Sequence, residues 1–304
     1  MNKFKINIKN IKKEDYDSIR ALDESSFERD VSRSMENIES LCFNHSEGCF
    51  IGFLGEKPVG YIISHRFGKI GYIGPMGIEV KYHNRGYGQE LIKSSLKVLT
   101  QKCKVIGVET FPGWGKNIAF FHRLGFRETF PGRIMTKSTD SDFSKNSSEL
   151  RSNLVQGSAM DETMQKAALE EISTWGSTDS HGMDLSLDVA YFLKYYPENI
   201  LFFYETEVKG FLAFHKDYNP FYWGLVKPST KDISVFQSLL YGAAQLSWST
   251  VMKIHFQTNF SRVTKLLLGF GFHIEQDVSC LLYSSYSGNY FKKMDEIAIC
   301  SWWG

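Results

Sequence analysis

The segment from Gly74 to Ile92 constrains the fold of this chain more than any other part of the sequence. An extended apolar run, broken by Gly74-Pro75, leads through a short loop into a helical pattern that opens with Gly86 and Gly88. The first turn of a helix carries N–H groups without intrahelical partners and a positive partial charge. Since glycine has no Cβ atom, the backbone there can approach an anion closely, and Arg85 adds a full charge. The segment therefore predicts a strand–loop–helix unit that binds a diphosphate.

Two common phosphate-binding loops do not fit this segment. A dinucleotide-binding loop would need a third glycine at position 91, which is Leu91, and a Walker loop would need Gly-Lys before Ser or Thr. Glycine or proline inside a strand marks a bulge or interrupted pairing. We therefore expect the strand of residues 70–80 to separate from a neighbour near Gly74-Pro75.

The surrounding sequence alternates between strand and helix patterns. The predicted elements are a strand at 4–9, a helix at 14–27, a hairpin at 49–63, a helix at 90–99, a strand at 105–109 and a helix at 119–124. Gly125 is a good helix C-terminal stop.

This order of elements resembles the GNAT superfamily of N-acetyltransferases over most of residues 1–137. The frame from His83 to Gly88 resembles the family motif that binds the pyrophosphate of coenzyme A, with His83 where the family has Gln or Arg. The resemblance implies acetyl-CoA as co-substrate, no metal, and direct transfer of an acetyl group to an amine of a small molecule or peptide. The cofactor-binding residues that it implies are Met76, Gly77, Ile78, His83, Asn84, Arg85, Gly86, Tyr87, Gly88, Gln89, Asn117 and Phe121.

The resemblance leaves the proton transfers incompletely assigned. The family often has a Tyr four residues before the glycine that ends its fourth helix, and this chain has Phe121 there, so the usual general acid is missing. An ammonium acceptor must lose a proton before it attacks a thioester. Glu109, at the end of the fifth strand, is the candidate catalytic base or amine anchor, with Glu79 as its rival. A backbone N–H near Ile78 is the candidate donor to the carbonyl oxygen.

The second half of the chain echoes the first. A second hairpin at 200–215 follows the first at an offset of about 150 residues, and Leu124-Gly125-Phe126 is echoed by Phe270-Gly271-Phe272. We expect an α/β fold of two tandem GNAT-like domains, each with a mixed, mostly antiparallel sheet flanked by helices. Their expected bounds are 1–137 and 151–304, joined by a polar linker at 138–150.

The second half lacks the glycines of the first. The corresponding loop lies near Val226–Leu240 and contains no glycine, so a degenerate domain without a coenzyme A cradle is expected. The aromatic run at 218–223 packs in a core or lines the acceptor cleft. His65 and His215 end corresponding strands and are expected to be half-exposed.

Composition narrows the range of partners and compartments. The net charge of +1 gives no reason to expect nucleic acid or an anionic membrane as partner. The five cysteines form no Cys-x-x-Cys pair, which favours reduced thiols and no zinc site. With no signal-peptide pattern and no long apolar run, we expect a cytoplasmic protein.

Two other functions remain compatible with these patterns. Phe121 and the glycine-poor second half fit a protein that binds coenzyme A, or uses the fold as a scaffold, without turnover. Aromatic residues make up 15% of the chain, which also fits an acyltransferase for a longer acyl chain.

Overall fold

The computed structural model describes residues 5–27, 33–43, 45–139, 153–178, 182–214, 221–230, 232–246, 249–283 and 298–299. The expected linker at 138–150 falls outside these ranges except for its first two residues, of which Ser138 ends a strand. His215, the first three residues of the aromatic run at 218–223, and Cys300 also lie outside the described residues.

The helices of the described residues are α1 (Tyr16–Ser26), α2 (Met35–Phe43), α3 (Tyr87–Lys102), α4 (Gly115–Arg123), α5 (Glu162–Thr178), α6 (Ser186–Tyr195), α7 (Ile233–Leu246) and α8 (Ser261–Gly269). The strands of the first half are β1 (Asn7–Asn10), β2 (Phe50–Leu54), β3 (Lys57–Phe67), β4 (Ile70–Ile78), β5 (Val105–Thr110), β6 (Phe126–Glu128) and β7 (Gly132–Ser138). Those of the second half are β8 (Leu154–Gln156), β9 (Ile200–Tyr204), β10 (Val208–Phe214), β11 (Phe221–Val226), β12 (Val251–Gln257), β13 (His273–Tyr283) and β14 (Ala298–Ile299).

Helix α3 forms because its apolar residues recur at helical spacing. Leu91, Ile92, Leu96 and Leu99 are all buried against the central strands. The helix begins earlier than its apolar pattern predicted, at Tyr87, because Gly86 takes the left-handed conformation (φ 87°) at the N-cap and redirects the chain. The helical start therefore lies directly at the glycines.

The strands form one continuous mixed sheet flanked by helices, which confirms the α/β class. Its order is β1-β2-β3-β4-β5-β13-β7-β12-β11-β10-β9-β8. Strands β4 and β5 run parallel, as do β11 and β12, and the other pairs described are antiparallel. Strands β1 to β5 of the first half follow one another from one edge, and β8 to β12 of the second half follow in the same way from the other edge. At the centre the halves exchange a strand: β13 of the second half lies beside β5, and β7 of the first half lies beside β12.

The exchanged strands join the two halves through backbone pairing. The first part of β13 pairs with β7, from His273↔Thr136 to Val278↔Gly132. Its last part pairs with β5, from Ser279↔Thr110 to Leu282↔Gly107. On its other edge, β7 pairs with β12 along its whole length. The predicted division of the chain at 138–150 stays a prediction. Across it, β13 of the second half pairs with β5 and β7 of the first, and β7 of the first half pairs with β12 of the second.

The same exchange is visible in side-chain packing. The largest cluster of buried residues joins Ile70, Tyr72 and Val105 from the first half to many residues of the second, among them Trp175 and Phe214. Contacts of this kind resemble a domain core more than a polar interface. Among the described residues, no helix combines the length and apolar character that crossing a membrane requires.

We expect a fragment of residues 1–145 to lack a stable monomeric fold, because without β13 the edges of β5, β6 and β7 stay unpaired. Circular dichroism and size-exclusion chromatography would show an unfolded or self-associated fragment. Co-expression with residues 146–304 should restore a complex with the mass of the full chain. A fragment that unfolds cooperatively as a monomer would contradict the expectation.

Candidate active site

The two parallel strands of the first half separate as the sequence predicted. Pairing between β4 and β5 runs from Ile70↔Val105 to Tyr72↔Gly107 and ends there, just before Gly74-Pro75. Beyond that point β4 continues to Ile78 along β3, whereas β5 pairs with β13. The two strands therefore open a V-shaped gap, which we call the first splay (residues 73–78 and 108–110).

Backbone groups of β4 line the first splay. Glu79 donates its N–H to the carbonyl of Val59 in β3 (3.0 Å). Because backbone groups of successive strand residues point to opposite edges, the N–H of Ile78 faces away from β3, towards the splay. The N–H of Ile78, the candidate donor to the carbonyl oxygen, thus lies on the edge of β4 that faces the splay.

The N-terminus of α3 lies beside the open end of the splay. Asn84 (φ 60°) and Gly86 (φ 87°) both adopt left-handed conformations and shape a tight loop. The first intrahelical bond runs from the N–H of Glu90 to the carbonyl of Gly86 (3.2 Å). Helix geometry consequently leaves the N–H groups of Gly88 and Gln89 without partners inside the helix, where an anion is favoured.

Gly88 links this helix end to the splay. A Cβ atom on Gly88 would lie 3.6 Å from the side chain of Met76, 3.7 Å from Ile78 and 3.7 Å from Phe120. These three side chains come from β4 and α4, so Gly88 faces the place where both elements meet α3. Phe120 was not singled out from the sequence, because consecutive helical residues point about 100° apart and only the neighbouring Phe121 matched the family pattern.

The loop residues before α3 have distinct surroundings. The Nε2 atom of His83 lies 2.8 Å from the carbonyl oxygen of Ile78, which ties the loop to β4. Arg85 is exposed, with its guanidinium 5.5 Å from the ring of Tyr82. Lys81 and Lys57 also lie near that ring, and both form ion pairs with Glu79. The loop surface is therefore cationic, and Glu79 is engaged there.

Three further predicted residues are placed by neighbouring contacts. Tyr87 buries its side chain in a small cluster with Ile6 and Val59, so only its backbone can face an anion. Asn117 is exposed, with its amide nitrogen 3.5 Å from the hydroxyl of Thr110. Gln89 is exposed on the first turn of α3.

Phe121 is buried in the aromatic packing of α4. Its ring lies 5.4 Å from that of Phe120 and 5.6 Å from that of Phe126, between ring centroids. A side chain in this position contributes apolar contacts and has no proton to donate.

Glu109 lies in β5, two residues beyond the last pair with β4. Its side chain is fully buried, and Oε2 is 3.5 Å from Nε2 of His255 in β12. Cys280 of β13 stands directly opposite in the register, and its thiol accepts a contact from the amide of Gln257 at 3.8 Å. We call Glu109, His255, Gln257 and Cys280 the buried polar centre; only Glu109 was singled out from the sequence.

Burial controls the protonation of this centre. Loss of hydration raises the pKa of Glu109 well above 4.5 and lowers the pKa of His255 to about 3, since a low-dielectric environment disfavours the charged form of each. Burial, together with the nearby Glu109, also raises the pKa values of the Tyr72 hydroxyl and the Cys280 thiol. Burial therefore favours the neutral forms of the Glu109 carboxyl, the His255 imidazole, the Tyr72 hydroxyl and the Cys280 thiol.

The expectation that His65 is half-exposed is wrong. His65 is buried, and its ring stacks on that of His45 with 5.5 Å between centroids. The Nε2 atom of His45 lies 3.5 Å from Asp188 in α6 of the second half. The second half covers this strand end, and single-strand periodicity could not reveal such a cover.

The second half has a corresponding splay with different contents. Parallel pairing of β11 with β12 covers Phe221↔Lys253 and Tyr222↔Ile254, and then stops. Gly224 and Leu225 pair instead with Ile299 and Ala298 of β14. The chain's own backbone therefore takes the edge of β11 that the first half leaves open on β4, and the loop before α7 has no glycine.

Comparison with known proteins agrees with this geometry. Residues 14–126 match the model of the acetyltransferase (GNAT) family. A Pyrococcus horikoshii protein described as a candidate acetyltransferase has a TM-score of 0.70 and 14% identity, over 98% of this chain and 95% of its own. A GCN5-related N-acetyltransferase of Sphaerobacter thermophilus has a TM-score of 0.59 and 10% identity, over 93% and 96%.

A third structure, a GCN5-related N-acetyltransferase from Anabaena variabilis, has a TM-score of 0.58 and 12% identity, over 91% of this chain and 72% of its own. No curated protein sequence matches the chain. The class is thus an α/β protein with the acetyltransferase fold. Within it, residues 14–126 are the part of the chain that is similar to the GNAT acetyltransferase family.

We expect Glu109→Gln to stabilise the fold increasingly as pH rises. A carboxyl whose pKa is raised on folding stabilises the native state fully below its unfolded pKa of 4.5, and this stabilisation is lost as pH rises towards the folded value. The amide keeps the shape and stays neutral. Urea unfolding should show a gain over wild type near pH 8, about 1.4 kcal/mol per unit of pKa shift, and little gain near pH 4.

Glu79→Gln is the matched control for this measurement. Its ion pairs with Lys57 and Lys81 lower the pKa of Glu79, so this substitution should give no gain near pH 8. An equal effect of Glu109→Gln at both pH values would contradict the assignment.

Proposed function

We propose that this protein is an N-acetyltransferase that moves an acetyl group from acetyl-CoA to an amine of a small molecule or peptide. The first splay beside the N-terminus of α3 carries the proposal. A pantetheine arm can add backbone hydrogen bonds to the open edge of β4, while the diphosphate meets the helix N-terminus. The GNAT family match over residues 14–126 supports the same reaction class.

The proposed binding residues divide by what they offer. The backbone groups of Met76 and Ile78 would bond the pantetheine arm, and Gly77 between them would keep β4 paired with β3. The diphosphate would meet the helix start and its loop, which comprise His83, Asn84, Arg85, Gly86, Tyr87, Gly88 and Gln89. Asn117 and Phe121 would contact the cofactor from α4. The cationic loop surface complements a diphosphate.

The proposed reaction is a direct displacement. The nitrogen lone pair of the acceptor attacks the thioester carbonyl carbon, the C–N bond forms, and the C–S bond breaks to release the thiolate of coenzyme A. The N–H of Ile78 would stabilise the negative charge on the carbonyl oxygen. The carboxylate form of Glu109 would take the first ammonium proton, directly or through water, and the second proton of the attacking nitrogen would pass to the released thiolate.

Acetyl-CoA titration by calorimetry tests the binding site through Gly88. Gly88→Trp should weaken binding by at least about 100-fold, or ~2.7 kcal/mol, because the indole fills the space between Met76, Ile78 and Phe120. Gly88→Ala is the matched control: its Cβ makes ordinary contacts at 3.6 Å or more, so affinity should change far less. Unchanged affinity in Gly88→Trp would refute the placement.

The same titration counts the sites. We infer that the second half is a degenerate GNAT-like unit, supported by β14 at its splay and by its loop without glycine. One acetyl-CoA should bind per chain. Two equivalent sites would contradict the inference.

Binding of coenzyme A without turnover is the second candidate function. The burial of Phe121 favours it, because no tyrosine hydroxyl stands where family members protonate the leaving thiolate. Release of free thiol from acetyl-CoA, measured across a panel of small amines and peptides, separates the two. Acceptor-dependent release selects the transferase, and saturable binding with no release above the blank selects the binding protein. Long-chain acyl-CoA in parallel tests donor length.

A further inference from the structure

The first splay has two faces, and α3 lies against one of them. The side chains of Met76 and Ile78 face Gly88 of α3. Since successive strand residues alternate between faces, Gly77 faces the other way, towards α1. A Cβ atom on Gly77 would lie 2.8 Å from the hydroxyl oxygen of Ser26, the last residue of α1. We call this side of the sheet the α1 face.

Glu109 also lies on the α1 face. Val108 packs in the buried cluster that contains Leu91 and Leu96 of α3, so its neighbour Glu109 points to the opposite face of the sheet. The proposed cofactor site lies beside α3. An acceptor that reaches the splay from the α1 face would therefore meet the thioester on the side where the proposed base lies.

Arg33, which lies between α1 and α2, is held rigidly at the α1 face. Its side chain is only 9% exposed. Asp23 of α1 accepts hydrogen bonds from the backbone N–H of Arg33 (2.7 Å), from its Nη1 atom (3.0 Å) and from the hydroxyl of Tyr61. Tyr61 stands opposite Gly77 in the register of β3 and β4. The Asp23 carboxylate thus fixes the guanidinium beside the first splay.

The opposite edge of this guanidinium has no partner among the described residues. Only Nη1 bonds Asp23, Nη2 carries no hydrogen bond there, and Nε is shielded from solvent without a hydrogen-bond partner. The N–H groups of Nε and Nη2 are parallel and match the two oxygens of a carboxylate. Buried donors are almost always paired in native structures, so an open two-donor edge at this place indicates a ligand group that pairs with it.

The charge of Arg33 and the carboxyl of Glu109 act on the same hydroxyl group. Tyr72 lies on the α1 face, because its neighbour Ile73 packs in the cluster on the α3 side. Burial raises the pKa of Tyr72, the nearby Glu109 raises it further, and the positive charge of Arg33 opposes both. A molecule beside Tyr72 would therefore be near both a fixed cation and the proposed base.

We propose that Arg33 binds a carboxylate of the acceptor, so that the acceptor is an amine of the amino acid class. The Nε and Nη2 atoms would hold the two carboxylate oxygens while the amine reaches the thioester. Arg33 would set specificity by binding and would take no part in proton transfer. This inference rests on the proposed transferase function and names its substrate class.

The Nε–H signal of Arg33 reports carboxylate binding without turnover. It is observed by proton–nitrogen NMR of the full-length protein with coenzyme A present, and is assigned by correlation with the Arg33 side-chain carbons. The probes are the protein amino acids and β-alanine, each paired with its primary amide. A carboxylate of the panel should move the signal saturably, and its amide should not. A signal that no carboxylate moves, or that the amide moves equally, would overturn the proposal.

Arg33→Lys keeps the positive charge but removes the two-donor edge. With an amino acid that is acetylated, its KM should rise about tenfold or more and the preference over its amide should fall by the same factor, while kcat stays near the wild-type value. Arg20→Lys is the matched control, since Arg20 is half exposed on α1 and bonds Glu24, and the preference should stay unchanged there. Thermal unfolding establishes that each variant is folded. An unchanged preference in folded Arg33→Lys would contradict the assignment.

The two readouts separate this inference from the proposed function. If no amine is acetylated but a carboxylate moves the Arg33 signal, the transferase function fails and the carboxylate site stands. If the wild-type protein acetylates amides as efficiently as the amino acids, the transferase stands and the carboxylate site fails. Neither comparison requires a variant, so both remain decisive if Arg33→Lys does not fold.

Discussion

Pairing of β13 with strands of both halves is the constraint on which the rest of the structure depends. One strand of eleven residues bonds to β7 at its start and to β5 at its end. Strand β7 of the first half pairs in turn with β12 of the second half. Because backbone groups buried in a sheet must find partners, neither half can satisfy its central strands alone. The two halves therefore fold as one sheet, and their shared core is apolar.

The exchange also creates the buried polar centre. It brings Cys280 opposite Glu109 and places Gly132 where its missing side chain lets His255 approach. Burial of an unpaired carboxyl costs stability, and the raised pKa of Glu109 expresses that cost. A strongly shifted pKa at a strand end beside a splay is typical of a functional site, because catalytic groups need pKa values suited to proton transfer. Glu109 is thus both a residue whose burial lowers the stability of the fold and the proposed catalytic base.

The two splays share one arrangement of strands but differ in what lies at the open strand edge. In the first, β4 leaves β5 and its outer edge faces the glycines of α3. In the second, the edge of β11 pairs with β14, and the preceding loop offers no glycine to an anion. A peptide strand and a pantetheine arm both present amide groups, so either can satisfy an open strand edge. We infer that the second half uses its own chain there.

The sequence by itself determined the local units of the first half. The glycines before α3, the break at Gly74-Pro75 and the apolar spacing of α3 depend on near neighbours, so each could be read from the chain. It also identified Glu109 as a candidate. Only the tertiary structure decided that His65 is buried, that Phe120 faces Gly88, and that His255 meets Glu109. Those contacts join residues far apart in sequence, and strand periodicity carries no information about which distant strand completes a sheet.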